Sequence, residues 1–171
     1  MFNIGDQVIH PQHGMGHVVK LDDRAFGSGE KRRYYEISIQ NAGSTIWVPI
    51  DPPAFGLRKL AERSDIEDCR RILTAHPSSL PEDARTRQAK LAERLKQGAI
   101  YIQCEVVRDL FAFREHKSLY GSMAGFFKQT QNVLCEEWAI VEEITLDEAV
   151  REVGTLLQKS RRMVDKSKTN G

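Results

Sequence analysis

Residues 34–50, YYEISIQNAGSTIWVPI, contain two runs in which apolar and polar side chains alternate. Alternation with a period of two is typical of strands that bury one face. Asn41-Ala42-Gly43 lies between the runs and is typical of a hairpin turn. The side chains predicted to point inward are Tyr35, Ile37, Ile39, Ile46, Val48 and Ile50. This stretch therefore predicts an antiparallel hairpin with one buried face.

Two further candidate strands precede the hairpin. Residues 7–10 and 16–21 are separated by Pro11-Gln12-His13-Gly14, a turn-forming sequence. Four or five short strands then fit within residues 1–60. A small antiparallel barrel would remove the exposed edges of such strands. We expect an N-terminal barrel domain over residues 1–60.

The period changes after Asp51, and the rest of the chain is typical of helices. Ser64 with Glu67, and Thr145 with Glu148, fit the capping-box pattern that opens a helix. The five predicted helices cover about residues 64–75, 80–98, 99–116, 122–137 and 145–159. The prediction is an α+β chain with a small β-barrel at residues 1–60, an all-α domain at residues 61–165 and a frayed polar tail at residues 166–171.

Composition limits the classes of function. Hydrophobic residues make up 40% and charged residues 29% of the 171 residues, which is typical of a soluble globular protein. The net charge of +1 gives no overall attraction to nucleic acid, so any basic surface must be local. We find no targeting segment and no membrane-spanning run, and we expect a cytoplasmic protein without membrane partners. Cys69, Cys104 and Cys135 are widely spaced, which favours buried core thiols over disulfides or zinc ligands.

Trp47 is the first candidate functional residue. If its strand neighbours point inward, Trp47 points outward, where a large exposed aromatic often marks a partner surface. The alternative is that the helical domain of the same chain covers it. Arg24 and Phe26 lie before a glycine-rich turn and could extend the same surface.

The second predicted helix carries the local positive charge that the whole chain lacks. Residues 85–98 include five basic side chains and one acidic side chain, a local net charge of +4. The basic residues are Arg85, Arg87, Lys90, Arg94 and Lys96. Helix geometry predicts an inward face of Ala84, Gln88, Leu91 and Leu95. Arg87, Lys90 and Arg94 would then form a stripe that could follow DNA phosphates, or an ordinary solvated face.

Patterns typical of catalysis are missing from the sequence. His10, His13 and His17 lie close together, but their spacing crosses a strand and a turn and no cysteine accompanies them. We also find no phosphate-binding glycine loop, nucleophile elbow or zinc-protease helix motif. We therefore predict a protein that is not an enzyme and has no metal or cofactor.

Several of these segments, taken together, resemble the CarD/CdnL family of bacterial RNA-polymerase-binding regulators. The resemblance begins with residues 2–16, FNIGDQVIHPQHGMG, and continues in the same order along roughly residues 2–120. The other matching segments are Val48-Pro49, Gly56-Leu57-Arg58, Leu80-Pro81, Leu95 with Gly98, and residues 105–110, EVVRDL. The opening segment alone is also similar to a module of transcription-repair coupling factors, and the helical half favours the stand-alone regulator.

The resemblance implies a function. It implies a Tudor-like barrel that binds the polymerase β subunit, and a helical domain that contacts promoter DNA at the upstream edge of the bubble without strong sequence specificity. The implied role is to modulate the stability of the open promoter complex. We expect a monomer. Under the resemblance, the polymerase contacts are Arg24, Phe26 and Trp47. Arg85, Arg87 and Lys90 keep their DNA contact in this comparison, and with Arg94 from the helix spacing we predict Arg85, Arg87, Lys90 and Arg94 as the DNA contacts.

This sequence departs from the family pattern at a few positions. His10 replaces a tyrosine, Trp47 stands where relatives commonly have a basic residue, and residues 119–122 lack an acidic motif. Ala84 stands where relatives place a tryptophan that wedges at the DNA fork, and alanine has no surface to stack on a base. Leu80 is an alternative, smaller wedge. Two other functions stay open: an adaptor on polymerase that does not use DNA, and an RNA-binding barrel with Tyr34 and Trp47 as stacking residues.

Overall fold

The computed structural model describes residues 1–27, 29–51 and 56–169. Its N-terminal part is a four-stranded antiparallel sheet in which each strand pairs with the next along the chain. The strands are β1 (Gln7–His10), β2 (Gly14–Arg24), β3 (Arg32–Ile39) and β4 (Thr45–Pro49). This Tudor-like sheet followed by helices confirms the predicted α+β fold class.

The inner face of the sheet is the face that the alternation predicted. Tyr35 lies opposite Val48, and Ile37 lies opposite Ile46. The buried apolar cluster of the sheet comprises Val8, Val18, Tyr35, Ile37, Ile39 and Val48. Ile46 and Ile50 pack against it as partly buried side chains. Removal of these apolar groups from water is the main force that stabilises the sheet.

The rest of the described chain forms α1 (Arg63–Thr74), α2 (Ala84–Leu95), α3 (Ile100–His116), α4 (Gly121–Glu142) and α5 (Leu146–Thr169). The third helix is central, since nine of its residues are buried, among them Val107 and Leu110 at 0% exposure. Cys69, Cys104 and Cys135 are free and buried, as predicted. Burial raises the pKa of the Cys104 thiol, and that of Cys135 to about 12, which keeps both thiols protonated.

Some predicted helix ends were wrong. Before α1, the backbone N–H of Glu62 donates to the carboxylate of Asp65 at 2.8 Å, so the cap lies two residues before the predicted one at Ser64. Helix α2 begins at Ala84 rather than at Leu80-Pro81, because the Asp83 carboxylate accepts the N–H of Thr86 at 2.7 Å.

The last two helices also extend beyond their predicted ends. Helix α4 continues to Glu142 and stops where Glu143 adopts a left-handed φ of 58°. Thr145 and Glu148 form the predicted capping box of α5. That helix runs on to Thr169, and within it Ser160 is buried and donates to the carbonyl of Ala75. The prediction that the chain frays from residue 166 was therefore wrong for residues 166–169, which are helical. Residues 170–171 of the predicted tail lie outside the described residues.

A buried ion pair joins the sheet to the helices. Arg58 forms a short β-bridge with Ile9, so it extends the β1 side of the sheet. Its guanidinium donates two hydrogen bonds to the carboxylate of Glu137 in α4, at 2.5 and 2.6 Å. The Glu137 side chain is 1% exposed, and it also accepts the N–H of Ala61 at 2.9 Å. We refer to Arg58 and Glu137 as the clasp.

Two glycines meet close to the clasp. A Cβ placed on Gly98 would lie 2.7 Å from the carbonyl oxygen of Gly56 and 2.8 Å from its Cα. Gly98 also has a φ of +77°, a conformation that side chains disfavour. Only glycines allow these two backbones to approach so closely. The sheet-to-helix seam is thus fixed by a steric fit as well as by the clasp.

Candidate functional site

The outer face of the sheet carries an aromatic surface. Trp47 in β4 lies opposite Glu36 in β3, on the face opposite the buried cluster. Trp47 is 36% exposed and Phe26 is 53% exposed. The Trp47 ring packs on Arg24 of its own sheet and lies near Phe26 in the turn after β2, so the alternative that the helices cover it is wrong for the part of the chain that the structure describes.

The three predicted polymerase-binding residues lie together on this face. The Arg24 guanidinium stands over the Trp47 ring, 4.5 Å from its centroid. The Phe26 ring centroid is 6.4 Å from that of Trp47 and 5.1 Å from that of Tyr34, which it meets edge to face. Tyr34 was expected only as a candidate base-stacking residue. We refer to Arg24, Phe26, Tyr34 and Trp47 as the aromatic patch.

Carboxylates hold the cation of the aromatic patch in place. Arg24 Nε lies 3.1 Å from Asp22, and a terminal nitrogen of Arg24 lies 3.7 Å from Glu36. The hydrogen bond from Lys20 and then that from Arg24 keep the pKa of the Asp22 carboxyl below its usual range. Because Arg24 is positioned before any partner binds, docking would lose little side-chain entropy there. The aromatic patch suits a partner surface that is apolar at its centre.

The face of α2 that turns inward differs from the predicted one. Leu91 and Leu95 are buried as expected, but Ala84 and Gln88 are exposed. Arg87 is 6% exposed, so the predicted outward stripe was wrong at this residue. Its guanidinium donates to the carbonyls of Pro81 and Glu82 and lies 4.3 Å from the centroid of the Phe113 ring. Arg87 therefore fixes the segment that precedes α2 against the Phe113 side of α3.

Arg94 also has internal partners. It lies 2.6 Å from Glu105 and 3.2 Å from Asp109, both in α3. The Asp109 carboxylate is buried, and it accepts hydrogen bonds from Arg108 and from the N–H of Ser78 as well. A charge that balances a buried carboxylate is costly to withdraw. Arg94 therefore binds α2 to α3 in this structure.

Arg85, Lys90 and Lys96 are the exposed cations of α2. Lys96 pairs with Glu93 at 2.9 Å. Arg85 and Lys90 form no ion pair with any described residue. Ala84 is exposed on the first turn, whereas Leu80 is half-buried and packs against the helical core. Of the predicted phosphate contacts, the structure leaves Arg85 and Lys90 free to act as such.

No metal-binding or membrane-spanning feature is present among the described residues. No three His, Cys, Asp or Glu side chains there could hold a metal ion together. His10 and His13 pack ring against ring at 4.5 Å, and burial lowers the pKa of His10 to about 4. No described helix is long and apolar enough to cross a membrane.

Comparison with known proteins gives matches in both halves. The family model described as CarD-like/TRCF RID domain, an RNA-polymerase-interacting domain, matches residues 2–61. The model described as CarD, C-terminal domain matches residues 68–154, about half of the chain. The chain is also 25% identical over 146 residues to YdeB, a candidate transcription factor of Bacillus subtilis (strain 168). That alignment covers 85% of this chain and 95% of YdeB.

Proposed function

The chain belongs to the CarD family of transcription regulators, and from this premise we propose that it docks on the RNA polymerase β subunit through the aromatic patch and contacts promoter DNA through α2. The proposed effect is a change in the stability of the open promoter complex. The exposed stack of Arg24, Phe26 and Trp47 is the observation that carries the proposal. Action on polymerase would place the chain in the cytoplasm, as predicted from the sequence.

The composition of the aromatic patch supports docking on a protein. Aromatic and arginine side chains dominate the energetically important positions of protein interfaces. Phe26 and Trp47 offer exposed apolar surface, and their ring centroids lie 6.4 Å apart. Tyr34 is half-buried with Phe26 against its ring, which leaves few free ring faces for the alternative RNA-binding barrel.

The geometry of α2 supports a weak contact with DNA. Arg85 and Lys90 are exposed and unpaired among the described residues, whereas Arg87 and Arg94 have internal partners. Two phosphate contacts give low affinity without sequence preference. Polymerase docking would raise the local concentration of DNA near α2 and make such a weak contact effective. The division into a docking domain at residues 1–60 and a helical domain at residues 61–165 is part of this proposal.

The docking step is tested with Trp47→Ala and a purified β-subunit fragment. We expect its dissociation constant to rise at least about thirtyfold, the usual loss for a central aromatic anchor. Thermal stability should stay near that of the natural protein, because the Trp47 ring lies outside the sheet core. Tyr101→Ala is the control, since Tyr101 is also exposed but lies on α3. Unchanged affinity of Trp47→Ala would remove Trp47 from the interface.

The DNA step is tested with Arg85→Glu combined with Lys90→Glu. Each lost phosphate contact should reduce the slope of log affinity against log salt by about 0.9. Arg63→Glu with Arg71→Glu, two exposed cations of α1, is a control of equal charge change. If the α2 variant has the salt slope of the natural protein, the alternative function gains support: an adaptor on polymerase that does not use DNA.

A further inference from the structure

A cavity of about 610 Å³ lies where the turn between α3 and α4 meets both helices. Small-ligand sites in proteins are typically clefts of about 300–1,000 Å³. On α4 its wall is one helix face, because the lining positions are three or four residues apart. These are Ala124, Phe127, Lys128 and Gln131. None of the described residues that line the cavity belongs to the aromatic patch or to the proposed DNA contacts, so it is a separate feature of the helices.

Two aromatic rings position Arg114 at this cavity. Its guanidinium carbon lies 4.5 Å from the centroid of Phe111 and 5.2 Å from that of Phe127. The Arg114 side chain is nevertheless 42% exposed. It donates no hydrogen bond to a described residue, and its Nε lies 3.9 Å from one carboxylate oxygen of Glu115. Contacts with the rings therefore hold a cation whose N–H groups are available to a ligand in the cavity.

The charges of the cavity favour an anionic ligand. Lys128 is exposed and forms no ion pair with a described residue. Glu115 is the one carboxylate among the described residues of the lining, and its second oxygen lies 3.1 Å from Arg161 of α5. The lining therefore presents two cations, Arg114 and Lys128, against a single carboxylate that a third cation already binds.

We propose that this cavity binds a nucleoside diphosphate. Arginine and lysine side chains recognise phosphate oxygens through charge-assisted hydrogen bonds, and two lining cations match two phosphate groups. The cavity is larger than a diphosphate alone. Leu119 and Ala124 offer apolar contact to the nucleoside, and Ser118 and Gln131 offer hydrogen bonds to its polar edges. This ligand site goes beyond the proposed function, since it involves neither the polymerase nor the DNA contact.

The test is isothermal titration calorimetry of the full chain with ADP, GDP and UDP, and with inorganic pyrophosphate and adenosine for comparison. We expect at least one nucleoside diphosphate to bind at one site per chain, more tightly than pyrophosphate, and adenosine not to bind. Lys128→Glu should weaken the binding at least about tenfold, the usual effect of losing a hydrogen bond to a charged group. Arg151→Glu, which changes the charge equally at an exposed cation of α5, is the matched control and should keep the affinity.

Lys128 is the residue to change because it is exposed, whereas Arg114 also packs on two rings of the helices. Its substitution should leave the melting temperature unchanged, so a loss of affinity reports on the cavity rather than on folding. No binding of any of the three nucleoside diphosphates, pyrophosphate binding as tight as theirs, or an unchanged affinity in Lys128→Glu would overturn the proposal. Adenosine binding as tight as that of ADP would also overturn it, because the phosphates would then contribute nothing.

Discussion

Removal of the clasp carboxylate in Glu137→Ala should strongly destabilise the fold. The variant leaves the Arg58 guanidinium, 15% exposed, without its two hydrogen bonds to Glu137, and leaves the N–H of Ala61 without its acceptor. Breaking a buried ion pair on one side typically costs about 3–5 kcal/mol. For a chain of this size, each kcal/mol lowers the melting temperature by about 2–4 °C, so we expect a fall of roughly 6–20 °C.

The assay is thermal and urea denaturation of the natural protein and its variants. Glu93→Ala is the control, because it breaks the Lys96–Glu93 pair, in which the side chains are 49% and 73% exposed. A surface substitution of this kind should change the free energy of unfolding by less than about 0.5 kcal/mol. Glu137→Ala and Glu93→Ala thus differ in burial rather than in the kind of interaction lost.

A double-mutant cycle makes the expectation specific to the clasp. Arg58→Ala combined with Glu137→Ala should cost clearly less than the sum of the two single variants, because the second substitution removes a charge that the first left unpaired. If Glu137→Ala lowers the free energy of unfolding by less than about 1 kcal/mol, or if the two effects are strictly additive, the pair does not hold the sheet to the helices.

Substitutions at Gly98, His10 and Ala84 test other parts of the molecule. Gly98→Ala should destabilise the protein by more than about 1–2 kcal/mol in urea denaturation, because the new Cβ would meet Gly56 and the φ of residue 98 is positive. Gly154→Ala in α5 is the control: a Cβ has open space there, so this substitution should stabilise the protein slightly. The opposite order would contradict the close approach at the seam. Burial lowers the pKa of His10 to about 4, so the folded state favours the neutral ring. The free energy of unfolding should therefore decrease by up to about 3 kcal/mol as the pH falls from 6.5 towards 4. His10→Tyr should lose this dependence in melts across that range, and an equal acid sensitivity in both proteins would exclude His10 as its source. Ala84→Trp should lengthen the lifetime of open promoter complexes in a decay assay and leave polymerase affinity unchanged; an indifferent lifetime would show that position 84 does not reach the fork.

The sheet could be predicted because its signal is local. Alternation in residues 34–50 and one turn sequence determine which side chains share a face, and period two then places Trp47 outside. Arg24 lies in β2 and Phe26 in the turn after it, and β3 separates them from β4, so their contact with Trp47 depends on how far their side chains reach across the sheet. The assignment of these three side chains to a polymerase interface stays a prediction.

The inward face of α2 could not be predicted from its own sequence. The polarity of arginine predicts that it points towards solvent. The Arg87 side chain is instead buried: it donates to the carbonyl of Pro81, before the helix, and its guanidinium lies on the Phe113 ring. Arg94 likewise turns towards the buried Asp109. Both partners belong to α3, and nothing in the spacing of α2 indicates them. Tertiary contacts outweighed the polarity of the residues.

The clasp was missed for a related reason. Arg58 and Glu137 lie 79 residues apart, and the sequence shows each only as a single charge among many. The segments around Gly56 and Gly98 resemble those of the family, and their glycines are the one local signal of a close approach between backbones. Which backbone a glycine approaches depends on how the helices pack, and a local pattern carries no information about that.

The lifetime of an open promoter complex, measured with and without the protein, shows directly whether the protein acts on that complex. We expect the natural protein to change the lifetime in a saturable way, and Trp47→Ala to lose that effect at the same concentration. Arg85→Glu with Lys90→Glu should reduce the effect while polymerase binding is retained. A lifetime that is the same with and without the natural protein, under conditions where the protein is bound to polymerase, would show that it does not act on the open complex.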